Sequence, residues 1–454
     1  MKKQLFFIAI LLHSLIATIC AQERIQLNDI EIINLGDGQL FGTTRTSERT
    51  PINGKVKIIN GYSSEYIDAE FSSGYPIGKW NYYKNDKIYE STNYVNGYED
   101  GDKITYYDDA KTVKIKTPLS KGKVNGTVVR YYSDGKKEYE KIFKDGTGEG
   151  LEKTYAEDGE IKSELFFKNG KEEGKSFSIL NLGNHDCYKK SMSYMNGILE
   201  GEYKEEFCDG KPKISGKYIT GKKDGIWLYT NKDGRKKPTE EYKSGELIRK
   251  ISYYSNGKVD AEQGYNKGKE HGTTKQYTVD GELKSEKNYV NGKQVGKQYQ
   301  IYTSSTYSYF ENSNYSPEGL KDGQYTEMYL ETKSIKTKGL YIKGQKSGKW
   351  ITSNIKGTLI KEEDFVNNKL VGYKKTEKYE PYQEPTYTAR TFYDANDNKI
   401  GEYLEVYNDS KSIRKKGKYT NGIQDGKWIE NDKNGKLIRE EIYENGMQKS
   451  SNKY

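Results

Sequence analysis

Short segments rich in Tyr, Thr, Val and Ile alternate along this chain with turns that contain glycine. Within the segments, apolar and polar residues partly alternate, which is the pattern of strands with unlike faces. A glycine every few residues excludes helices, because glycine in a helix interior is destabilising. The pattern therefore predicts β-hairpins along nearly the whole chain.

The turns follow a Gly-x-x-x-Gly pattern, with Asn or Asp often before one glycine, as in Asn96-Gly97 to Gly101. The second glycine recurs about every 24 residues, although Arg249 replaces it in one unit. A further glycine follows nine residues later, and an aromatic residue eight residues after that in most units. The structural repeat glycines of this pattern are Gly78, Gly101, Gly126, Gly150, Gly174, Gly201, Gly225, Gly272, Gly296, Gly348 and Gly426.

The chemistry of these turns predicts how the hairpins are arranged. Asn-Gly and Asp-Gly adopt positive φ at low cost and favour tight turns whose twist matches paired strands. One hairpin is marginally stable in water, whereas stacked hairpins complete each other's hydrogen bonds. We therefore predict an all-β fold: an elongated, twisted, single-layer antiparallel meander of about sixteen stacked 24-residue hairpin repeats over residues 51–450.

Two motifs resemble the MORN-repeat family, in particular its bacterial antitoxin-like variant. They are the Gly-x-Trp unit starts, as in Gly78-Lys79-Trp80, and the Tyr-x-Asn-Gly unit ends, as in Tyr94-Val95-Asn96-Gly97. The resemblance covers roughly residues 51–450. It implies a repeat scaffold of stacked hairpins, and it also raises an antitoxin or immunity role and lipid association as functions.

The composition supports an open sheet. Hydrophobic residues make up 33% of the 454 residues and mean hydropathy is -1.01, which is too little for large closed cores. The 43 tyrosines nevertheless argue against a disordered chain. Tyrosine has an apolar ring and a hydroxyl that stays hydrated, so it suits sheets that other protein covers on one face or on neither.

The first residues predict export. Met1-Lys2-Lys3 precede an apolar run from Leu5 to Ile19, which is typical of a signal peptide over residues 1–21. The alternatives are an uncleaved anchor and a lipoprotein modified at Cys20. The expected location is the periplasm, the outer surface or the medium. Residues 22–50 do not fit the period and are expected to form an N-terminal cap or a flexible lead.

Charge narrows the range of partners. The formal net charge is +9, but acidic and basic residues alternate throughout. Nucleic-acid binding requires a clustered basic stripe, and binding to anionic lipid requires basic clusters. The expected partner is an unidentified protein, with a glycan as the alternative; nucleic acid is excluded and membrane lipid is disfavoured.

A search for catalytic chemistry predicts a protein that is not an enzyme and needs no cofactor or metal. His185 and His271 lie more than three units apart, so they do not share a metal site. Neither a nucleophile elbow nor a phosphate-binding loop occurs. Cys187 and Cys208 are almost one repeat apart, which leaves open a disulfide or two free buried thiols.

Aromatic residues and over-long units supply the binding candidates. Trp80, Trp227, Trp350 and Trp428 would stack on sugar rings if they are exposed; the alternative is that they pack on neighbouring units. Units that exceed 24 residues occur at 184–187, 304–310 and 380–385, and insertions in repeat proteins often mark a binding face. They add His185, Tyr307, Tyr309 and Tyr382. The expected function is an exported scaffold for protein–protein interaction, and the alternatives are cell-wall or glycan binding and an antitoxin-like role.

Overall fold

The structure is a computed structural model that describes residues 22–181, 187–378, 387–394 and 396–454, with the backbone alone over 373–378. These residues form β-strands, together with one 3-10 turn at Leu27–Asp29. No helix among them has the length and apolarity that crossing a membrane requires. The chain divides into two compact units. The first runs to Gly210 and includes Tyr218–Gly221, and the second comprises Lys211–Lys217 and Lys222–Tyr454.

The strands of the first unit are numbered in chain order. They are β1 Glu23–Gln26, β2 Ile30–Asn34, β3 Leu40–Thr44, β4 Gly54–Ile59, β5 Glu65–Ser72, β6 Tyr75–Lys84, β7 Lys87–Val95, β8 Tyr98–Tyr106, β9 Val113–Ser120, β10 Lys123–Val124, β11 Gly126–Tyr131, β12 Lys137–Lys144, β13 Thr147–Tyr155, β14 Ile161–Lys168, β15 Lys171–Glu172, β16 Gly174–Asn181, β17 Cys187–Met195, β18 Ile198–Leu199 and β19 Gly201–Phe207. Strand β20, Pro212–Ile219, has residues in both units.

The second unit continues the same succession of strands. They are β21 Lys222–Tyr229, β22 Thr239–Lys243, β23 Glu246–Tyr253, β24 Val259–Asn266, β25 Lys269–Glu270, β26 Gly272–Tyr277, β27 Leu283–Val290, β28 Lys293–Gln294, β29 Gly296–Thr303, β30 Ser308–Tyr315, β31 Gly323–Tyr329, β32 Ile335–Ile342, β33 Gln345–Ser353, β34 Leu359–Val366, β35 Lys369–Lys378, β36 Tyr387–Tyr393, β37 Lys399–Tyr407, β38 Ile413–Thr420, β39 Ile423–Asn431, β40 Leu437–Glu444 and β41 Met447–Lys453.

Within each unit the sheet is an antiparallel meander, as the turn pattern predicted. Strand β6 pairs with β5 on one side and with β7 on the other, and this order continues from strand to strand. The repeat glycine lies opposite the aromatic residue near the end of the next strand. Gly150 pairs with Phe167, and Gly426 pairs with Tyr443. Positions that recur with the 24-residue period of the sequence therefore occupy equivalent places in the pairing of the strands.

The two glycines of each turn have different roles. Asn96 and Gly97 form the tight turn itself, with φ of 48° and 86°. Gly101 has φ of 105° and lies where β8 changes its register against β7, between the partners of Thr92 and Tyr94. Residues 100–102 face the single Asn93 there, and a β-bulge of this kind often needs a glycine with positive φ. The second glycine therefore places a bulge at the start of a unit.

Residues 22–50 fold as the cap rather than as a flexible lead. Strand β1 pairs in parallel with β4, from Glu23 opposite Val56 to Gln26 opposite Ile59. The hairpin of β2 and β3 forms a separate two-stranded sheet. Gly42 N–H of that hairpin donates a hydrogen bond to the Gly74 carbonyl at 2.7 Å. The cap thus pairs with β4 along its edge and anchors to the first turns of the array.

This cap adds a second layer to a sheet that was expected to be a single layer. Its side chains and those of the first repeats form a compact apolar cluster, in which Val56 is 0% exposed. The buried members are Ile30, Ile52, Val56, Ile58, Ala69, Phe71, Trp80 and Tyr94. A closed core therefore exists at this end of the first unit, formed by apolar side chains of the cap, such as Ile30, together with those of residues 52–94.

Hydrogen bonds also connect the tight glycine-containing turns of successive repeats, in addition to the strand pairing. The N–H of the turn glycine donates to a carbonyl roughly one repeat earlier, as from Gly97 to Pro76 at 2.9 Å. We call this series the turn ladder. Its other members are Gly122 to Glu99, Gly146 to Val124, Gly170 to Gly148, Gly197 to Glu172, Gly221 to Leu199, Gly245 to Lys223, Gly292 to Glu270, Gly344 to Lys321, Gly422 to Lys399 and Gly446 to Gln424.

Candidate functional site

The four tryptophans are buried, so of the two alternatives for these rings the structure has packing within the sheet and not an exposed sugar-stacking row. Trp80 is 2% exposed, Trp227 1%, Trp350 3% and Trp428 1%. The physical reason is that the sheet surface leaves space for each ring. The residue eleven positions before three of these tryptophans is glycine, and a Cβ there would overlap the indole; the pairs are Gly216–Trp227, Gly339–Trp350 and Gly417–Trp428.

Two of these tryptophans have the same aromatic surroundings. The Trp350 ring lies 5.5 Å from Tyr325, 5.0 Å from Tyr341 and 6.4 Å from Phe365. Trp428 lies at 5.3, 5.0 and 6.4 Å from three tyrosines at the corresponding positions, which are Tyr403, Tyr419 and Tyr443. We call the side of the sheet that carries these rings the tryptophan face. Its aromatic side chains bind consecutive repeats to one another.

Acidic residues hold the turns, and the sequence patterns discussed above did not identify this role. The acid just before the second glycine of a turn accepts a hydrogen bond from the first N–H of the next turn, as Glu149 does from Asn169 at 2.7 Å. The other pairs are Asp100–Lys121, Glu173–Asn196, Glu200–Thr220, Asp224–Ser244 and Asp322–Lys343. The recurrent Asp-Gly or Glu-Gly at this position was the signal that could have revealed it.

At the opposite edge of the sheet, tyrosine hydroxyls connect successive repeats by donating hydrogen bonds to backbone carbonyls. Tyr132 donates its hydroxyl proton to the Tyr155 carbonyl at 2.7 Å, and Tyr254 donates to the Tyr277 carbonyl at the same distance. Further pairs are Tyr107–Tyr131, Tyr329–Ser353 and Tyr407–Asn431. Much of the tyrosine content therefore serves contacts between repeats.

The face opposite the tryptophans carries exposed apolar side chains. Ile142 and Phe166 are each 38% exposed, and Leu151 lies between them in the register of β12 to β14. Thr127 lies opposite Ile142 on β11 and extends the row by one strand. These four residues, on four consecutive strands, form the apolar row. Ion pairs flank it, including Lys153 with Glu164 at 3.3 Å.

A concavity opens beside the apolar row, between β14 and β19. Phe177 lines it, with the ammonium of Lys189 4.6 Å from the ring centroid. Lys204 at its rim pairs with Glu202 at 3.2 Å. Its lining consists of Glu164, Lys175, Ser176, Phe177, Lys189, Ser191, Met192, Ser193, Glu202 and Lys204.

A disulfide between Cys187 and Cys208 closes one end of this region. Cys187 begins β17 and Cys208 follows β19, and the two strands pair directly from Tyr188 opposite Phe207. The Cα atoms are 5.4 Å apart, and the Cys208 N–H also donates to the Cys187 carbonyl at 3.1 Å. Of the two alternatives for these cysteines, the structure therefore has the bridge.

The insertion at residues 304–310 gathers four tyrosine rings. Tyr302 and Tyr309 stack with their centroids 5.0 Å apart, and Tyr307 meets Tyr329 edge-on at 5.4 Å. Ser304 Oγ accepts hydrogen bonds from the backbone N–H groups of Thr306 and Tyr307, which fixes the loop. Tyr307 remains 37% exposed. The cluster includes Tyr307 and Tyr309, two of the binding candidates named from the sequence.

A cation and a carboxylate complete the tyrosine cluster. Lys336 Nζ lies 3.7 Å from the Tyr309 ring centroid and 2.9 Å from Glu327 Oε2. Burial alone would raise the pKa of Glu327, but hydrogen bonds from Lys336 and Thr337 outweigh burial and lower that pKa below its ordinary value. Glu327 therefore stays ionised beside the rings, and the Lys336 ammonium is already neutralised.

The sequence also drew attention to His185, Tyr382 and His271. His185 and Tyr382 lie outside the described residues. His271 has a buried Nδ1 without a hydrogen-bond partner in the part of the chain that the structure describes. No group of three or more potential metal ligands occurs among those residues either.

Comparisons with known proteins leave the family undetermined. No protein-family model matches the chain, and no curated protein matches it. It is similar to chains in two crystal structures, "TcdB2-TccC3-TEV" and "TcdB2-TccC3 without hypervariable C-terminal region", each at 10% identity, with TM-scores of 0.14 and 0.15. Each alignment covers 91% of this chain and 28% of the other, so this chain spans 28% of the length of both neighbours. Such TM-scores support no statement about fold or function, and membership of the MORN-repeat family stays a prediction.

Proposed function

We propose that this chain is an exported, non-catalytic repeat scaffold that binds a protein partner through the face opposite the tryptophans. The supporting observation is the apolar row of Thr127, Ile142, Leu151 and Phe166, with Ile142 and Phe166 each 38% exposed. A contiguous exposed apolar surface bordered by polar groups is typical of interaction sites. The tryptophan face, by contrast, uses its large rings in contacts between repeats.

The export part of the proposal rests on the basic and apolar pattern of residues 1–21. The disulfide between Cys187 and Cys208 is compatible with it, because disulfides persist in oxidising compartments. Detection of the mature N-terminus by mass spectrometry of the protein recovered from its native cells tests this part. An intact residue 1 on the mature protein would contradict it.

The binding part can be tested with a matched pair of variants. Ile142→Glu with Phe166→Glu places two charges in the apolar row. Val95→Glu with Met195→Glu also places two charges on exposed apolar residues, but at turns of the first compact unit. Val95 is 57% exposed and Met195 is 52% exposed. We expect the wild type and the turn variant to capture one defined protein from an envelope extract, and the row variant to lose it. Equal capture by all three forms, or no capture by any, would overturn the proposal.

A glycan is the second candidate ligand, and the tyrosine cluster at 304–310 supports it. Tyr307 offers a partly exposed ring that its own loop and Tyr329 hold in place. A sugar with an apolar ring face packs on such a surface. Tyr307→Ala should abolish co-sedimentation with an insoluble polysaccharide, whereas Tyr62→Ala, at an isolated tyrosine that is 91% exposed, should not. Failure of the wild type to sediment with peptidoglycan or with any other polysaccharide tested would remove this candidate.

A further inference from the structure

Asn-Gly sequences occur throughout this chain, and they are chemically reactive. The backbone nitrogen of the glycine attacks Cγ of the asparagine, a new N–Cγ bond forms, and the Cγ–Nδ2 bond breaks with loss of ammonia. Water then opens the resulting succinimide to aspartate or isoaspartate. The asparagines that precede glycine in the described residues are Asn53, Asn60, Asn96, Asn125, Asn169, Asn196, Asn256, Asn291, Asn421, Asn434 and Asn445.

At most of these positions, the glycine nitrogen that would attack donates a hydrogen bond in the folded chain. In the turn ladder, the N–H groups of the turn glycines donate to carbonyls of the preceding repeat. Those that follow asparagine are Gly97, Gly170, Gly197, Gly292, Gly422 and Gly446. At the other edge, Gly257 N–H donates to Tyr254 and Gly435 N–H donates to Asp432. A nitrogen held in a hydrogen bond must break that bond before it can attack.

Two more asparagines precede glycines that begin strands. Gly54 begins β4 opposite Phe71, and Gly126 begins β11 opposite Phe143. Strand pairing fixes the backbone at these glycines. The Asn53 side-chain oxygen also accepts a hydrogen bond, from the Ser73 N–H, so it is the strand pairing of Gly54 that distinguishes Asn53 from Asn60.

Asn60 and Gly61 differ from all of these. They lie in the loop between β4 and β5, where Gly61 is exposed and its N–H donates to no acceptor among the described residues. The N–H of Tyr62 donates to Asn60 Oδ1 at 3.2 Å. A donor on this oxygen stabilises the negative charge that develops there when the neighbouring nitrogen attacks Cγ, as an oxyanion hole does.

We propose that Asn60 is a spontaneous modification site of this protein, converted through a succinimide with Gly61 faster than the other Asn-Gly sequences. The Gly61 nitrogen donates no hydrogen bond among the described residues, and the side-chain carbonyl of Asn60 already accepts one from Tyr62. The product has one additional negative charge, and isoaspartate also lengthens the backbone by one methylene within the β4–β5 loop. That change would disturb the hydrogen bond between the Asn60 N–H and the Glu65 carbonyl, now 3.2 Å long.

The test is incubation of the full chain at mildly alkaline pH, followed by peptide mass mapping that separates isoaspartate from aspartate. In the folded protein we expect Asn60 to convert about tenfold faster than Asn96 or Asn169, which corresponds to one retained backbone hydrogen bond. In concentrated guanidinium every glycine nitrogen is free, so the rates should become similar. Asn60→Gln should remove the early product and leave the slower sites unchanged.

Two results would overturn this assignment. One is a rate at Asn60 no greater than at Asn96 in the folded chain. The other is a preference for Asn60 that persists undiminished in guanidinium, because the cause would then be the local sequence and not the fold.

Discussion

Gly417 lies beneath the indole of Trp428, so closely that a β-carbon on Gly417 would overlap the six-membered ring. The backbone at Gly417 does not have a positive φ, so alanine is excluded there by the ring and not by the backbone. The same relationship joins Gly339 with Trp350. At three of the four tryptophans a glycine eleven positions earlier thus leaves room for the indole, whereas Trp80 is buried with Ala69 at that position.

Gly417→Ala should destabilise the strands around Trp428 by about 1–3 kcal/mol, the cost of overpacking a filled site. Loss of amide protection in β38 and β39, measured by hydrogen exchange, reports the effect locally. Adding Trp428→Val should cancel part of the clash, so that the double variant loses less than the sum of the two single variants. Strictly additive losses would contradict direct packing of these two residues.

Glu149→Ala should loosen the turn at Asn169, because Glu149 Oε2 accepts the Asn169 N–H at 2.7 Å. We expect a local loss of about 1 kcal/mol, since the bond involves a charged acceptor at an exposed site. Glu149→Gln retains an acceptor oxygen and should lose less. Hydrogen exchange of the Asn169 amide measures both variants, and unchanged exchange in the alanine variant would show that the acid does not hold the turn.

Replacing Cys187 and Cys208 together by serine should increase exchange across β17 and β19. The bridge spans 21 residues, and closing a loop of that length stabilises a fold by about 3 kcal/mol in the chain-entropy model. Reduction of the wild type should reproduce the effect. If oxidised and reduced forms exchange alike over residues 187–208, the disulfide contributes nothing to the stability of these strands.

The pair of Glu327 and Lys336 predicts a loss of stability in acid. The pKa of Glu327 is lowered in the folded chain, so its contribution is fully present above the pKa of the unfolded chain and is lost as pH falls through the folded value. Exchange protection of β31 and β32 should therefore stay constant from neutral pH down to about pH 5 and fall below it, as the pH passes through the lowered pKa of Glu327. Glu327→Gln should show a smaller fall. A variant with the same acid sensitivity as the wild type would rule out this carboxylate as the cause.

The strand register was predictable because it depends on local chemistry. Asn-Gly turns and periodic glycines have much the same conformational preferences in any context, so Gly150 opposite Phe167 followed from spacing. Burial of Trp350 was not predictable from the tryptophan alone, since an exposed and a packed ring give the same Gly-x-Trp motif. Gly339 gives the Trp350 ring its space, but this relationship is visible only when the two strands are placed side by side.

The candidate site was predictable only in part. Tyr307 and Tyr309 were identified because their loop breaks the period, and the structure brings them together with Tyr302 and Tyr329. The apolar row was missed because Ile142 and Phe166 lie 24 residues apart and become neighbours only through the stacking of repeats. Side chains equivalent by period are adjacent in space, and a search at that period would have found them.

The turn ladder also bears on how such a chain changes length in evolution. Each of its bonds joins a glycine to a residue 21–25 positions earlier, as from Gly97 to Pro76 or from Gly197 to Glu172. Gain or loss of one whole unit leaves every remaining turn with an equivalent acceptor, whereas a shift of one residue would turn a strand's side chains to the wrong face. Unequal recombination between the coding segments of repeats can therefore lengthen or shorten the protein in complete steps.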